Sequence, residues 1–516
     1  MADTTGVVWP AGQALPRFAT PAELELLDLR SASPAEVLLA TTAQGVVNRV
    51  QPRVWLVRDA DEGSHTWLDT IALPHSELDG VEALVSRHRR EIRGAIIPDP
   101  EVAATRNVAT SLAGLEDAVV AEPAMAERLH LPVLADLRGR FAHDGAAYRW
   151  SVDQVWPRTT HRMLVGMSPD IPGCLRDYAV ANRALVVWLD PGLRGSRALL
   201  TGLLGQMPVN SPYLGWWPSD VAGENEGTEL ASRHGVYVVA ADFSMNLTVL
   251  GGVRPESPVT SRPAEESTME STVESTVEDG VYVTFTMTDG DNLQYCQHAM
   301  RRLWDTPERG RVPLNWTVSP LLHDAAPAIL SYYQRTATAN DLLVVGPSGA
   351  GYAYPTSWPP THLGAFTRQT GEYAGHLGGP VVNVLNRVSG RDRDLSPAEV
   401  AAYARDVQPV GILQHWTSRH AVGMVAGVPV ATGCLVSDPA GCRRVLARAA
   451  AKGTRFVSIG VLAWSMTPAD VAMVVGDLDN RFHAVRADQF FPLVRRAVAS
   501  PAATGGRWRW PWRRRA

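Results

Sequence analysis

Four cysteines in 516 residues are too few for a disulfide scaffold, and none stands in a CxxC pair. Cys174, Cys296, Cys434 and Cys442 are expected to be reduced and mostly buried, with a Cys434–Cys442 bridge as the one alternative. No stretch reaches ~18 uninterrupted apolar residues, which excludes a membrane-spanning helix. The opening segment MADTTGVVWPAGQALPRF has neither a basic start nor an apolar core. A signal peptide is therefore not expected, and a cytoplasmic location follows. HExxH and HxxxH are absent, so the common zinc spacings are missing. Glutamate is scarce in the second half, and none falls at a predicted strand end. The formal net charge is −5, which argues against a general nucleic-acid binder. The terminal segment GGRWRWPWRRRA alone holds five arginines, so the basic signal is local. The Trp/Arg alternation over 507–515 suits weak contact with an anionic membrane surface.

The chain is too long for one ordinary domain. With 45% hydrophobic and 20% charged residues, it has material for large cores. Sixteen tryptophans are a surplus, and some can serve as stacking surfaces for sugar rings. The segment 261–280, SRPAEESTMESTVESTVEDG, is acidic, repetitive and free of aromatic residues. It reads as a flexible linker between an N-terminal domain (1–260) and a C-terminal domain (281–500), with a basic tail at 501–516.

Before the linker, PRVWLV, GAIIP, DAVVA, ALVVWL and GVYVVAA read as buried strands alternating with helices, the pattern of an α/β layer domain. PAEVLLATTAQGVVNRV reads as a helix with Ser33 as its cap and Pro34 in its first turn. After the linker, seven strand candidates alternate with helices: VYVTFTMT, LNWTVS, LLVVG, PVVNVLN, VGILQHW, PVATGCLV and RFVSIGVLAW. Seven β/α units suit a (β/α)7-8 barrel-like domain, with an open doubly wound sheet as the alternative. Either way, chemistry belongs at the carboxyl ends of the strands.

Polar and aromatic groups collect at those ends. The first strand leads into TDGDN, bringing Asp289, Asp291 and Asn292. Acids two apart in an extended backbone point the same way. Such a pair either shifts one pKa upward or shares a divalent cation, with Asn292 in support. The competing reading makes TDGDN an Asx turn with Asn292 as a helix cap. The second strand brings Trp316, His323 and Asp324. Later strands bring Asn386, His415, Trp416 and Trp464.

The third strand ends in VVGPSGAGYAYP (344–355). It lacks the Lys-Ser of a phosphate loop, and its prolines forbid the prompt helix that a dinucleotide turn or nucleophile elbow needs. Ser348 is therefore no nucleophile here and is assigned to ligand binding. Gly349 and Gly351 let the backbone approach a ligand. Tyr352 and Tyr354 are expected to share a face, presenting two phenols to a polyhydroxyl ligand, with a packed turn of buried tyrosines as the alternative.

With Gly349-Ala-Gly351-Tyr352-Ala-Tyr354-Pro355, the chain resembles the GxGYxYP family, whose inferred role is glycoside hydrolysis. Further segments similar to that family are AQGVVNR (43–49), LRDYAV (175–180), LGWW with NEG (214–217, 225–227), ADFSMNLTV (241–249) and TDGDN (288–292). The resemblance implies an N-terminal α/β domain, a barrel-like C-terminal domain and a carbohydrate substrate, but no established catalytic pair. Relatives look exported, whereas no export signal is visible here.

The leading expectation is a glycosidase-like hydrolase with Asp289, Asp291 and Asp324 as catalytic acids and no obligatory cofactor. Asn292, Trp316, Ser348, Tyr352, Tyr354, Asn386, His415, Trp416, Trp464 and Glu226 would bind the sugar. One alternative is a metal-dependent carbohydrate deacetylase, with a divalent cation at Asp289 and Asp291. Another is a glycan-binding protein without turnover.

Overall fold

The computed structural model describes residues 6–58, 66–218, 221–255, 279–290, 292–379, 381–417 and 419–499. Most of the expected linker, the basic tail and Asp291 lie outside the described residues. The chain divides into two compact units: Met1–Glu256 with Leu321–Leu330, and Ser257–Pro320 with Ser331–Ala516.

The first unit carries three small parallel sheets rather than one layer. In the first, β1 (Leu24–Asp28) lies between β2 (Val54–Val57) and β3 (His75–Leu78). In the second, β4 (Ala95–Ile97) lies between β5 (Val119–Val120) and β6 (Val133–Asp136). The third orders β7 (Leu164–Gly166), β8 (Leu185–Val187), β9 (Ser211–Gly215) and β10 (Val236–Val239) as β8-β7-β9-β10. The predicted buried strands fall on β2, β4, β5, β8 and β10.

Helix α1 (Pro34–Val50) starts as its sequence dictates, with a capping box between Ser33 and Glu36 and proline in the first turn. It is buried on all sides from Val37 to Arg49, so its polar side chains must find partners. Gln44 donates to the Val54 carbonyl and to Asn246 Oδ1 at 3.0 and 2.7 Å. Asn48 donates to the Val54 carbonyl and to Thr248 Oγ1, while its Oδ1 accepts the Arg53 and Val54 amides. Thr248 Oγ1 in turn donates to Asp177 Oδ2 at 2.8 Å. Arg49 pairs with Asp117 and donates to the carbonyls of Gly114, Val180 and Ala181. Gly45 has no room for a side chain, since a Cβ would lie 2.6 Å from the Asp177 carbonyl oxygen. The segments AQGVVNR, LRDYAV and ADFSMNLTV are thus the two sides of one polar seam.

The second unit is built on β11 (Val281–Met287), β12 (Leu314–Val318), β13 (Asp341–Val345), β14 (Val381–Asn383), β15 (Gly411–Gln414), β16 (Ala421–Val425), β17 (Val428–Thr432), β18 (Leu435–Val436) and β19 (Phe456–Val461). They are ordered β16-β17-β15-β14-β13-β12-β11-β19-β18. All pairs are parallel except the β16–β17 hairpin. Laid flat, β15 and β19 would stand roughly 24 Å apart, at about 4.8 Å per strand. Yet His415 Nε2, just past β15, lies 2.9 Å from Ser458 Oγ of β19. The sheet therefore curls. The chain leaves β17 through Gly433 and Cys434 and becomes β18, so one extended stretch pairs with β15 and then with β19. The seven predicted strands correspond to β11, β12, β13, β14, β15, β17 with β18, and β19.

Inside the curl the alternation is polar. Asn315 donates to Thr284 Oγ1, Thr286 Oγ1 and the Phe285 carbonyl at 2.8, 3.1 and 2.6 Å. Its Oδ1 accepts the amide of Ala487 at 2.8 Å, the first residue of the helix Ala487–Ala499. Phe490 and Phe491 of that helix pack with Tyr282, Leu413 and Phe456. The helix closes the amino end of the curl, which leaves the carboxyl ends of the strands for a site.

Candidate active site

The turn after β11 is built around two unusual backbone positions. Asp289 is half-buried with φ of 74°, a region that L-residues other than Asn and Asp seldom occupy. Thr288 Oγ1 donates to Asp289 Oδ2 at 3.0 Å and to the Val461 carbonyl at 3.1 Å. The Gly290 amide donates to Thr317 Oγ1 at 2.9 Å. A Cβ on Gly290 would lie 1.9 Å from the Thr317 carbonyl oxygen, so only glycine fits. The turn is thereby locked to the end of β12, and the aspartate is presented rather than left to rotate.

Asn292 is the cap of the helix Leu293–Gln297, its Oδ1 accepting the Tyr295 amide at 2.9 Å. Capping occupies Oδ1 with the helix, in line with the Asx-turn reading of TDGDN. Tyr295 is buried, and its hydroxyl has no hydrogen-bond partner among the described residues. Burial drives its pKa well above the ordinary phenol value, with Cys296 and Asp289 adding to the effect. The edge of this ring meets Trp464, centroids 5.5 Å apart at 68°. Trp464 is 55% exposed, so a large indole face stands open beside a buried phenol that feels the Asp289 carboxylate.

The Gly-rich loop does not offer the open platform expected of it. Tyr352 and Tyr354 do converge, with hydroxyls 3.1 Å apart and rings at 89°. Both rings, however, are buried, at 2% and 0% exposure. Their neighbour is Arg387, whose guanidinium lies 5.1 Å above the Trp416 ring and bonds Asp392 at 3.0 Å. Burial works against the Arg387 charge, but the phenols of Tyr352 and Tyr354 and the Asp392 carboxylate outweigh it and raise its pKa. The loop thus places a held cation beside two converging phenols. The sequence places Arg387 with Asn386 at the end of the fourth strand but assigns it no part, and it gives no signal for Tyr295.

Ser348 serves the loop itself. Its hydroxyl donates to the Ala353 carbonyl at 2.7 Å and accepts the Leu385 amide at 3.1 Å, and its carbonyl accepts the Tyr403 hydroxyl. The peptide bonds Gly346–Pro347 and Pro347–Ser348 are cis. Gly349 takes a positive φ of 155°, as its glycine allows, while Gly351 is not among the positive-φ glycines.

Other assigned residues have structural duties instead. Trp316 is fully buried, bonds Asp341 at 2.9 Å and packs edge-on against Trp304, since the alternation of β12 turns Asn315 and Thr317 the other way. Asn386 holds the Thr356 amide and hydroxyl and the Arg393 carbonyl. His415 is buried inside the curl, where burial first and His420 second lower its pKa to about 3. It is neutral at any ordinary pH and is no general acid. Asp324 belongs to the first unit, where it is 1% exposed and accepts the Leu15 amide at 3.1 Å. Glu226, also of that unit, is exposed and ion-paired with Arg197 at 3.2 Å. Cys174, Cys296, Cys434 and Cys442 are all free thiols.

Family models match three stretches of the chain. The GxGYxYP_N second domain matches residues 92–159, the GxGYxYP third domain 161–252, and the "GxGYxYP putative glycoside hydrolase C-terminal domain" 279–495. The chain belongs to the GxGYxYP family. The first unit thus holds two of the family's domains, in keeping with its separate sheets. A crystal structure described as a putative hydrolase from Bacteroides thetaiotaomicron VPI-5482 superposes with a TM-score of 0.80 at 22% identity, over 95% of this chain and 98% of that one. It shares the GxGYxYP protein's fold. No curated protein matches the chain. Among the described residues no helix is long and apolar enough to cross a membrane, and no group of three His, Cys, Asp or Glu side chains is placed to hold a metal ion.

Proposed function

We propose that this GxGYxYP protein hydrolyses glycosidic bonds at the carboxyl end of a sevenfold β/α barrel formed by the curled sheet. The observation that carries the reading is Asp289, fixed in a left-handed backbone at the strand ends and flanked through Tyr295 by the open face of Trp464. A sugar ring stacks on the indole and brings its anomeric carbon toward the carboxyl group. Glycoside hydrolysis asks for two carboxyl groups, about 5–5.5 Å apart for retention and roughly 6.5–9.5 Å for inversion. The sequence offers Asp291 as the partner of Asp289. The half-buried Arg387, held by Asp392 with the Tyr352 and Tyr354 phenols behind it, supplies a fixed donor for sugar hydroxyls or for negative charge on a leaving group.

The reading is tested by a panel of 4-nitrophenyl glycosides assayed with and without EDTA. Hydrolysis of at least one, lost in Asp289→Asn, is the expected result. Turnover that survives Asp289→Asn removes the assignment, and turnover that EDTA abolishes moves it to a metal-dependent deacetylase-like hydrolase.

A further inference from the structure

A cavity of about 570 Å³ opens on the second unit between the β16–β17 hairpin, the helix Pro439–Ala451 and the start of β19. Its floor is apolar, made by Val436, Val445, Ala449 and Val457. Its rim is cationic: Arg419, Arg444, Arg448 and Lys452. Arg444, Arg448 and Lys452 follow at i, i+4 and i+8 along the helix and its C-terminal cap, so they project on one face. Like charges at that spacing repel, and little here relieves them. Arg448 and Lys452 make no ion pair among the described residues, and Arg444 reaches Asp438 only at 3.8 Å. Arg419 pairs with Asp394. Lys452 is also the single lysine of the whole chain. In a chain of net charge −5, four cations around one hollow, two of them without an ion pair among the described residues, are a local reversal that binding of a neutral sugar does not use.

We propose that this cavity binds an organic oxyanion, a phosphate or sulfate monoester whose apolar body rests on the valine floor. The Arg448 guanidinium offers a planar fork to two ester oxygens, and the Lys452 ammonium adds a point charge. The volume suits a small molecule rather than a bare ion. The site does not depend on the glycosidase reading.

Calorimetry with 1-naphthyl phosphate, 1-naphthyl sulfate, 1-naphthol and inorganic phosphate tests it. At least one ester binds with Kd below about 1 mM, about ten-fold or more tighter than naphthol or inorganic phosphate. The double variant R448Q/K452Q loses about ten-fold or more of that affinity, while its Tm stays within about 2 °C because both side chains are exposed. Because Lys452 is unique, the bound ester also slows its acetylation, read by peptide mass spectrometry, without slowing that of the N-terminal amine. The tighter of the two esters decides between phosphate and sulfate. No binding by either ester, affinity matched by naphthol or inorganic phosphate, or affinity unchanged in the double variant overturns the proposal.

Discussion

The α1 seam of the first unit and the strand-end rim of the second are equally rich in the residues that mark the family, yet they differ in exposure. In the seam, Gln44, Asn48, Arg49 and Thr248 are buried and bonded at almost every polar atom. In the rim, an indole faces solvent beside a half-buried aspartate in a left-handed backbone; the seam also holds left-handed positions, at Leu175 and Asn246, and a buried Tyr178 hydroxyl with no hydrogen-bond partner among the described residues, but these are closed off from solvent. Buried polar networks fix a fold, whereas strain beside an exposed face marks where a ligand completes the structure. A motif alone does not say which of the two it is.

The comparison breaks if the rim behaves like the seam. Asp289→Asn keeps the turn, because asparagine tolerates positive φ, and removes only the acid. It is expected to lower kcat by about 10²–10⁴-fold with Tm nearly unchanged, read by steady-state kinetics beside a melting curve. Arg49→Met should do the reverse. It strands the Gly114, Val180 and Ala181 carbonyls and the Asp117 carboxylate, and should cost about 3–5 kcal/mol in denaturant unfolding, while the protein still folded turns over normally.

How much of this was legible follows from how far each cue reaches along the chain. Buried parallel strands rich in β-branched and aromatic residues stand out between helical segments, so the seven predicted strands could be read directly, whereas the hairpin strand β16, half-buried along most of its length, was missed. Asp289 could be read as well, because TDG after an apolar run ends a strand. Trp316 could not be placed, since a one-residue choice of face decides whether Trp316 or Thr317 points inward, and the run LNWTV is apolar enough for either. The alternation of Tyr352 and Tyr354 correctly brought their hydroxyls together, but burial of the rings depends on elements far along the chain. Asp324 looked like a strand-end acid, yet its partner Leu15 is 309 positions away. No local pattern carries that information.

Two smaller effects sharpen the contrast. His415 is held neutral, with its pKa lowered from 6.5 to about 3. An unfolded chain takes up a proton at this histidine below about pH 6.5, and the folded chain does not until about pH 3. The stability it contributes is therefore complete above pH 6.5 and lost as pH falls toward 3, at up to about 1.4 kcal/mol per pH unit. His415→Gln should flatten that acid limb in urea titrations across pH. Trp464→Ala removes an exposed face and should raise KM about 5–30-fold, equivalent to about 1–2 kcal/mol, with kcat and Tm changed little.

The most direct test of the rim uses the backbone that Asp289 occupies. Its positive φ suits glycine, so Asp289→Gly should fold with an empty place where the carboxylate stood. With a 4-nitrophenyl glycoside, this variant should be nearly inactive, and sodium azide should restore turnover by about ten-fold or more as the small anion takes over the missing group's work. A well-folded Asp289→Gly protein that hydrolyses at the unaltered rate, or whose lost activity azide does not recover, would contradict the account.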